Sequence, residues 1–271
     1  MAEAPLIDIR NATIWRGSTR VFEHLDLEIA QHERVAILGP NGSGKTTLLK
    51  TINRELYPVV ADGSWVKILG RHHWNVWELR KHIGVVSQDL HIRYTPSTTA
   101  LEVVVSGFHS SIGVHGTLAS RVTRQQVARA EQTLELLGIG KLRSTALQSM
   151  STGQQRRCLL GRAQVQEPET LIHDEPTAGL DVAASFDYLR RIRELSRTGH
   201  NIVIVTHHLN EIPPEVERVI VLKGGAVVAD GGKESVLTAE VLSAAYETPI
   251  GVAETNGYFL AYPAAERENV T

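Results

Sequence analysis

The chain has 271 residues, 42% hydrophobic and 21% charged, and no apolar run reaches the ~18 to 20 residues of a membrane-spanning helix, so it reads as a soluble chain with one large domain or two lobes sharing a core, too short for two tandem enzyme domains. Twenty-eight basic against 30 acidic side chains give a formal charge of −2, which leaves no bulk positive field and no expectation of a nucleic-acid partner. Cys158 is the only cysteine; with no internal disulfide, no thiolate cluster and no basic, apolar leader, a cytoplasmic location is expected.

In chain order, Leu6 to Trp15 and the alternating Leu25, Leu27 and Ile29 predict an antiparallel β lobe with one buried face. The unbroken apolar runs Val35 to Leu38, Leu171 to Ile172 and Ile202 to Val205 predict parallel strands covered on both faces. Between about Ile92 and Met150 strand signals fade, and Leu101 to Val105 and Val127 to Leu137 read as helices. Val182, Phe186, Leu189, Ile192 and Leu195 recur at helical spacing, with Asp181 as N-cap and an end near Gly199. Lys223, Gly224 and Gly225 join two short apolar runs as a hairpin. The fold class is α/β: a core with its β lobe at about 1–91 and 156–232, a helical lobe at about 92–155, and a weakly patterned tail at about 233–271.

Gly39, Pro40, Asn41, Gly42, Ser43, Gly44, Lys45 and Thr46 match the phosphate-binding loop pattern in full, between a buried strand and an apolar helix that runs from Thr47 to Ile52. Backbone amides and a helix N-terminus would converge on the β-phosphate, Lys45 would bridge β- and γ-phosphates, and the Thr46 hydroxyl would ligate Mg²⁺. A glycine-rich turn that binds nothing is disfavoured by this context. Further on, a strand ends in His173, Asp174 and Glu175. The first carboxylate suits Mg²⁺ and the second suits activation of water.

With Pro176, Thr177, Ala178, Gly179, Leu180 and Asp181 following, the sequence resembles the ABC ATPase family, the nucleotide-binding subunits of ATP-binding cassette systems, most closely its importer-type members for metal, metal-chelate or oxyanion uptake. Met150, Ser151, Thr152, Gly153 and Gln154 are similar to the family signature, Thr206 and His207 to its switch histidine, and Gln88 to its lobe-connecting glutamine. The separations are 43 residues from Lys45 to Gln88, 63 from Gln88 to Ser151, 23 from Ser151 to Asp174 and 32 from Glu175 to His207. The resemblance implies P-loop NTPase topology, ATP and Mg²⁺ as cofactors, and Glu175, His207 and Gln88 as catalytic residues. It also implies that Thr46, Gln88 and Asp174 hold the metal. Nucleotide contacts would come from Trp15, the loop from Gly39 to Thr47, the signature from Ser151 to Gln154, and Asp181.

This chain departs from the family pattern in two places. Thr152 replaces the first of two glycines in the signature, and His173 stands where an aliphatic residue is usual. His173 is expected as a buried neutral imidazole hydrogen-bonded nearby. His208 follows the switch histidine, and alignment with the family favours His207. Trp15 is either a core aromatic, an adenine platform or both. Trp74 and Trp77 are expected to pack, and His72, His73, His82, His91, His109 and His115 form no accepted metal-ligand spacing.

Ser151 and Gln154 have capping-box spacing, and in the family the signature meets the γ-phosphate held by a second subunit. A homodimer, or pairing with a related ATPase chain, is therefore implied, as are integral membrane transporter subunits and a peripheral position on the inner face of the membrane. The expected activity is ATP hydrolysis driving an importer. The alternative is a soluble non-transport ABC ATPase such as a cluster-assembly factor; a P-loop small-molecule kinase would leave the signature and His207 unexplained.

Overall fold

The computed structural model describes residues 3–114 and 116–264; the side chains of Gln88, Asp89 and His91 lie outside the described residues, as does His115. In chain order the strands are β1 (Ile7–Arg16), β2 (Thr19–Ile29), β3 (Val35–Leu38), β4 (Trp65–Ile68), β5 (Ile83–Val86), β6 (Thr170–Asp174), β7 (Asn201–Thr206), β8 (Arg218–Lys223), β9 (Ala226–Gly232), β10 (Ile250–Thr255) and β11 (Tyr258–Pro263). The helices are α1 (Lys45–Ile52), α2 (Val76–His82), α3 (Ala100–Ser106), α4 (Arg124–Leu136), α5 (Thr152–Gln164), α6 (Val182–Arg197), α7 (Lys233–Val236) and α8 (Ala239–Tyr246). They form two compact units: residues up to Val76 together with those from Asn201 onward, and Trp77–His200.

In the first unit, β1 lies between β2 and β4, antiparallel to both. The alternation read in β2 holds: Leu25, Leu27 and Ile29 are buried while Asp26 and Glu28 are exposed. The same unit carries β7, β3, β8 and β9 in that order, with β3 parallel to β7 and β8, and β9 returning antiparallel through the Lys223–Gly225 turn. All four residues of β3 are buried, as an unalternated apolar run requires of a strand covered on both faces. The described part of the tail from Lys233 holds α7, α8 and an antiparallel β10–β11 hairpin.

In the second unit, β5 and β6 are parallel, with Val86 opposite His173. The stretch expected to be helical holds α3, α4 and the start of α5. Thr99 and Thr123 cap α3 and α4 through reciprocal capping boxes with Glu102 and Gln126. α3 packs on both α4 and α5. Among the described residues no helix is long and apolar enough to cross a membrane.

Candidate functional site

The phosphate loop leaves the end of β3 at Gly39 and enters α1 at Lys45. Gly39 has no room for a side chain, since a Cβ there would lie 2.3 Å from the Leu222 carbonyl oxygen. Gly44, the N-cap of α1, has φ 112° and lies against the Phe22 ring, so both conformation and space demand glycine. Because Phe22 pairs with Ile14 across the β lobe, that lobe rests on the loop. Trp15, the next residue, is 44% exposed, so of the roles left open by the sequence a core aromatic does not describe it.

Lys45 is only 8% exposed. Its ammonium donates to the carbonyls of Gly39 at 2.5 Å and Pro40 at 3.1 Å, which keeps the cation inside the loop. Among the described residues the buried Ser43 hydroxyl has no hydrogen-bond partner, a costly arrangement that a polar ligand relieves. Thr46 is exposed and Thr47 buried. A buried ammonium, an unsatisfied hydroxyl and an accessible threonine at a helix start fit a phosphate ester with a metal ion.

His207 follows β7 as Gly39 follows β3. Since Leu38 and Thr206 are register partners, the two residues leave adjacent strand ends on the same side. His207 is half-buried and His208 exposed, with ring centroids 3.8 Å apart. The His208 amide donates to the Thr206 hydroxyl at 2.9 Å, and that hydroxyl donates to the fully buried Glu211 carboxylate.

In the second unit, Asp174 closes β6 and Glu175 follows in the left-handed region at φ 47°. Both are half-buried. The Glu175 carbonyl accepts from the Ala178 amide at 3.2 Å and from the Arg156 guanidinium at 2.7 Å. The Asp181 carboxylate caps α6 by accepting from the Ala184 amide at 2.8 Å. Its structural role is thus visible beside the nucleotide contact inferred for it.

Ser151 caps α5 through a complete capping box with Gln154. Ser151 and Thr152 are exposed and Gly153 is half-buried. A Cβ at Gly153 would lie 3.3 Å from that of Ala184, so the signature glycine sits close to α6. Gln88 begins a 3-10 turn just beyond β5, and its side chain lies outside the described residues. With β5 beside β6, that turn and Asp174 lie at the same end of paired strands.

His173 is fully buried; its Nδ1 lies 3.3 Å from the Tyr188 hydroxyl and its Nε2 has no partner among the described residues. Burial, reinforced by the Arg156 charge, lowers its pKa to about 3, so the ring is neutral. Trp74 donates to the Ile68 carbonyl at 2.7 Å, whereas Trp77 is 64% exposed. The expectation of packing therefore holds for Trp74 and fails for Trp77, whose helix has Leu79 as its buried residue.

The sequence profile of the ABC transporter family matches residues 22–178. The chain is 32% identical over 253 residues to the ABC transporter ATP-binding protein YlmA of Bacillus subtilis, covering 91% of this chain and 93% of that one. It is 33% identical over 258 residues to the phosphonates import ATP-binding protein PhnC of Anaeromyxobacter dehalogenans, covering 93% of this chain and about half the length of that protein. The dimeric post-hydrolysis structure of the ATP-binding cassette MJ0796, bound to ADP and Pi, is 27% identical, with a TM-score of 0.68 over 83% of this chain and 98% of that one. The chain belongs to the ABC transporter family and is an ATP-hydrolysing cassette of it.

Proposed function

We propose that this chain is the motor subunit of an importer, held peripherally at the cytoplasmic face by separate membrane subunits, and that two copies, or one copy and a related chain, pair head to tail around two ATP molecules. The observation that carries this reading is the start of α5, where a capped helix N-terminus presents exposed Ser151 and Thr152, a ready anion site. Kinship with a phosphonate import protein supports the direction of transport, and the dimeric MJ0796 cassette supports pairing.

In this reading Lys45 and the loop amides hold the β- and γ-phosphates, Trp15 stacks on adenine, and Asp181 helps shape the nucleotide site. Thr46, Asp174 and Gln88 would hold Mg²⁺, which when bound neutralises phosphate charge. Glu175 takes the proton of the attacking water, and His207 donates to the γ-phosphate. The signature residues Ser151 to Gln154 contact the γ-phosphate bound by the opposing chain. The ATP-closed pair reopens after hydrolysis, and membrane subunits convert that cycle into alternating access.

Glu175→Gln tests the reading, because it keeps the shape and removes the base, a loss worth about 10² to 10⁴ in rate. Light scattering with Mg²⁺-ATP should show a stable dimer of the variant, and a monomer with ADP or without nucleotide. A monomer with ATP demonstrably bound would overturn self-pairing. Failure of the tagged chain to co-purify with integral membrane proteins would overturn the transporter role.

A further inference from the structure

The C-terminal helix α8 touches the machinery described above at two points. Its last residue, Tyr246, donates its hydroxyl to the backbone carbonyl of His207 at 3.2 Å. At the same helix end, Lys223 donates to the Ala244 carbonyl at 2.7 Å and pairs with Glu247 at 2.8 Å, a cation placed where the helix dipole is negative. Lys223 closes β8 and begins the turn to β9. The Gly225 amide in that turn donates to the Ser43 carbonyl of the phosphate loop at 3.2 Å, and the preceding Leu222 carbonyl is the atom that excludes a side chain at Gly39.

The helix is itself well anchored. Thr238 caps it by accepting from the Val241 amide, Leu242 and Ala245 are buried, and the Ser243 hydroxyl accepts from the Ile250 amide at 2.9 Å. β11 packs on the turn Leu209–Glu211 that follows His208. Lys233 donates to the carbonyls of Pro213, Pro214 and Gly257, tying the segment after the switch to the hairpin. One brace thus runs from the phosphate loop through the Lys223–Gly225 turn to α8, and from α8 back to His207.

We propose that Tyr246 is a positioning residue for His207: its hydroxyl fixes the carbonyl, and so the peptide planes, of the residue that meets the γ-phosphate. The tail beyond Lys233 is then a working part of the hydrolysis site. This inference rests on the assignment of His207 above. Tyr246 touches no reacting atom. Its effect falls on the rate of the committed complex rather than on nucleotide affinity, which Lys45 and the loop amides determine.

The test compares the full chain with Tyr246→Phe, His207→Ala and the double variant, by single-turnover and steady-state hydrolysis of Mg²⁺-ATP. Loss of one net hydrogen bond should lower kcat of Tyr246→Phe about three- to ten-fold, with KM within about two-fold of the parent. In the His207→Ala background the same substitution should cost nothing more, because the group it positions is gone. A parental kcat in Tyr246→Phe, or an equal loss in both backgrounds, would overturn the proposal. Amide hydrogen exchange without nucleotide reads the brace independently of catalysis. Faster exchange at residues 207–210 in Tyr246→Phe supports it, and unchanged exchange overturns it even if the parent chain proves unable to hydrolyse ATP, a result that would instead remove the ATPase assignment.

Discussion

The Arg156 guanidinium donates to the backbone carbonyl of Glu175 at 2.7 Å, tying the helix that starts at the signature serine to the residue assigned to activate water. Arg156 is 4% exposed, and Glu175 holds a left-handed conformation unusual for a residue with a long side chain. Arg156→Met keeps an apolar stem of similar reach and removes the donor. Stability should fall by about 1 to 3 kcal/mol, as expected when a buried charged hydrogen bond is lost. Hydrolysis should slow while ATP affinity holds. Unchanged thermal unfolding and an unchanged rate would show that the contact contributes nothing to either.

Lys45→Ala should abolish ATP binding in a calorimetric titration. The substitution removes the cation proposed to meet the β- and γ-phosphates, where charge-assisted hydrogen bonds are about twice as strong as neutral ones. It also leaves the carbonyls of Gly39 and Pro40 without the ammonium they accept from. Retained affinity would move the nucleotide away from this loop.

Trp15→Ala should weaken ATP by about 1 to 3 kcal/mol, the usual worth of base stacking on an aromatic ring. The rate at saturating nucleotide should change little, since phosphate positioning is untouched. Ile14, its neighbour, is buried and pairs with Phe22, so the exposed ring can be removed without opening the lobe. Equal affinities of variant and parent in a nucleotide titration would place the adenine platform elsewhere.

Features set by local chemistry were legible in the sequence. The Ser151–Gln154 box, the Asp181 cap, the Lys223–Gly225 turn and the buried β3 run each depend on side chains a few residues apart. The Asn256–Gly257 pair was a missed signal of the same kind. Both residues have positive φ, and Thr255 and Tyr258 pair across them, the arrangement favoured in two-residue hairpin turns. The contacts of Arg156 with Glu175 and Tyr246 with His207 were not legible. They join residues 19 and 39 positions apart through backbone carbonyls, and a carbonyl acceptor leaves no mark on residue type. Trp77 shows the converse limit: an aromatic on an amphipathic helix faces outward because Leu79 takes the buried side.

His173 makes stability depend on pH in a direction fixed by its burial. The imidazole titrates near 6.5 in the unfolded chain and near 3 when folded, because desolvation and then the Arg156 charge disfavour the cation. Below pH 6.5 the unfolded state takes up a proton that the native state refuses. Stability from this group is therefore complete above pH 6.5 and is lost as pH falls from about 6.5 to about 3, at up to about 1.4 kcal/mol per pH unit. His173→Leu removes the titration but leaves the Tyr188 hydroxyl without its Nδ1 neighbour, so the comparison also needs His173→Leu with Tyr188→Phe. Denaturant melts between pH 7 and pH 4 should show a shallower acid loss in both variants than in the parent, whatever their stability at pH 7. A parallel loss in all three proteins would mean that His173 is protonated in the native state, and that its neutral, buried role before Asp174 is wrong.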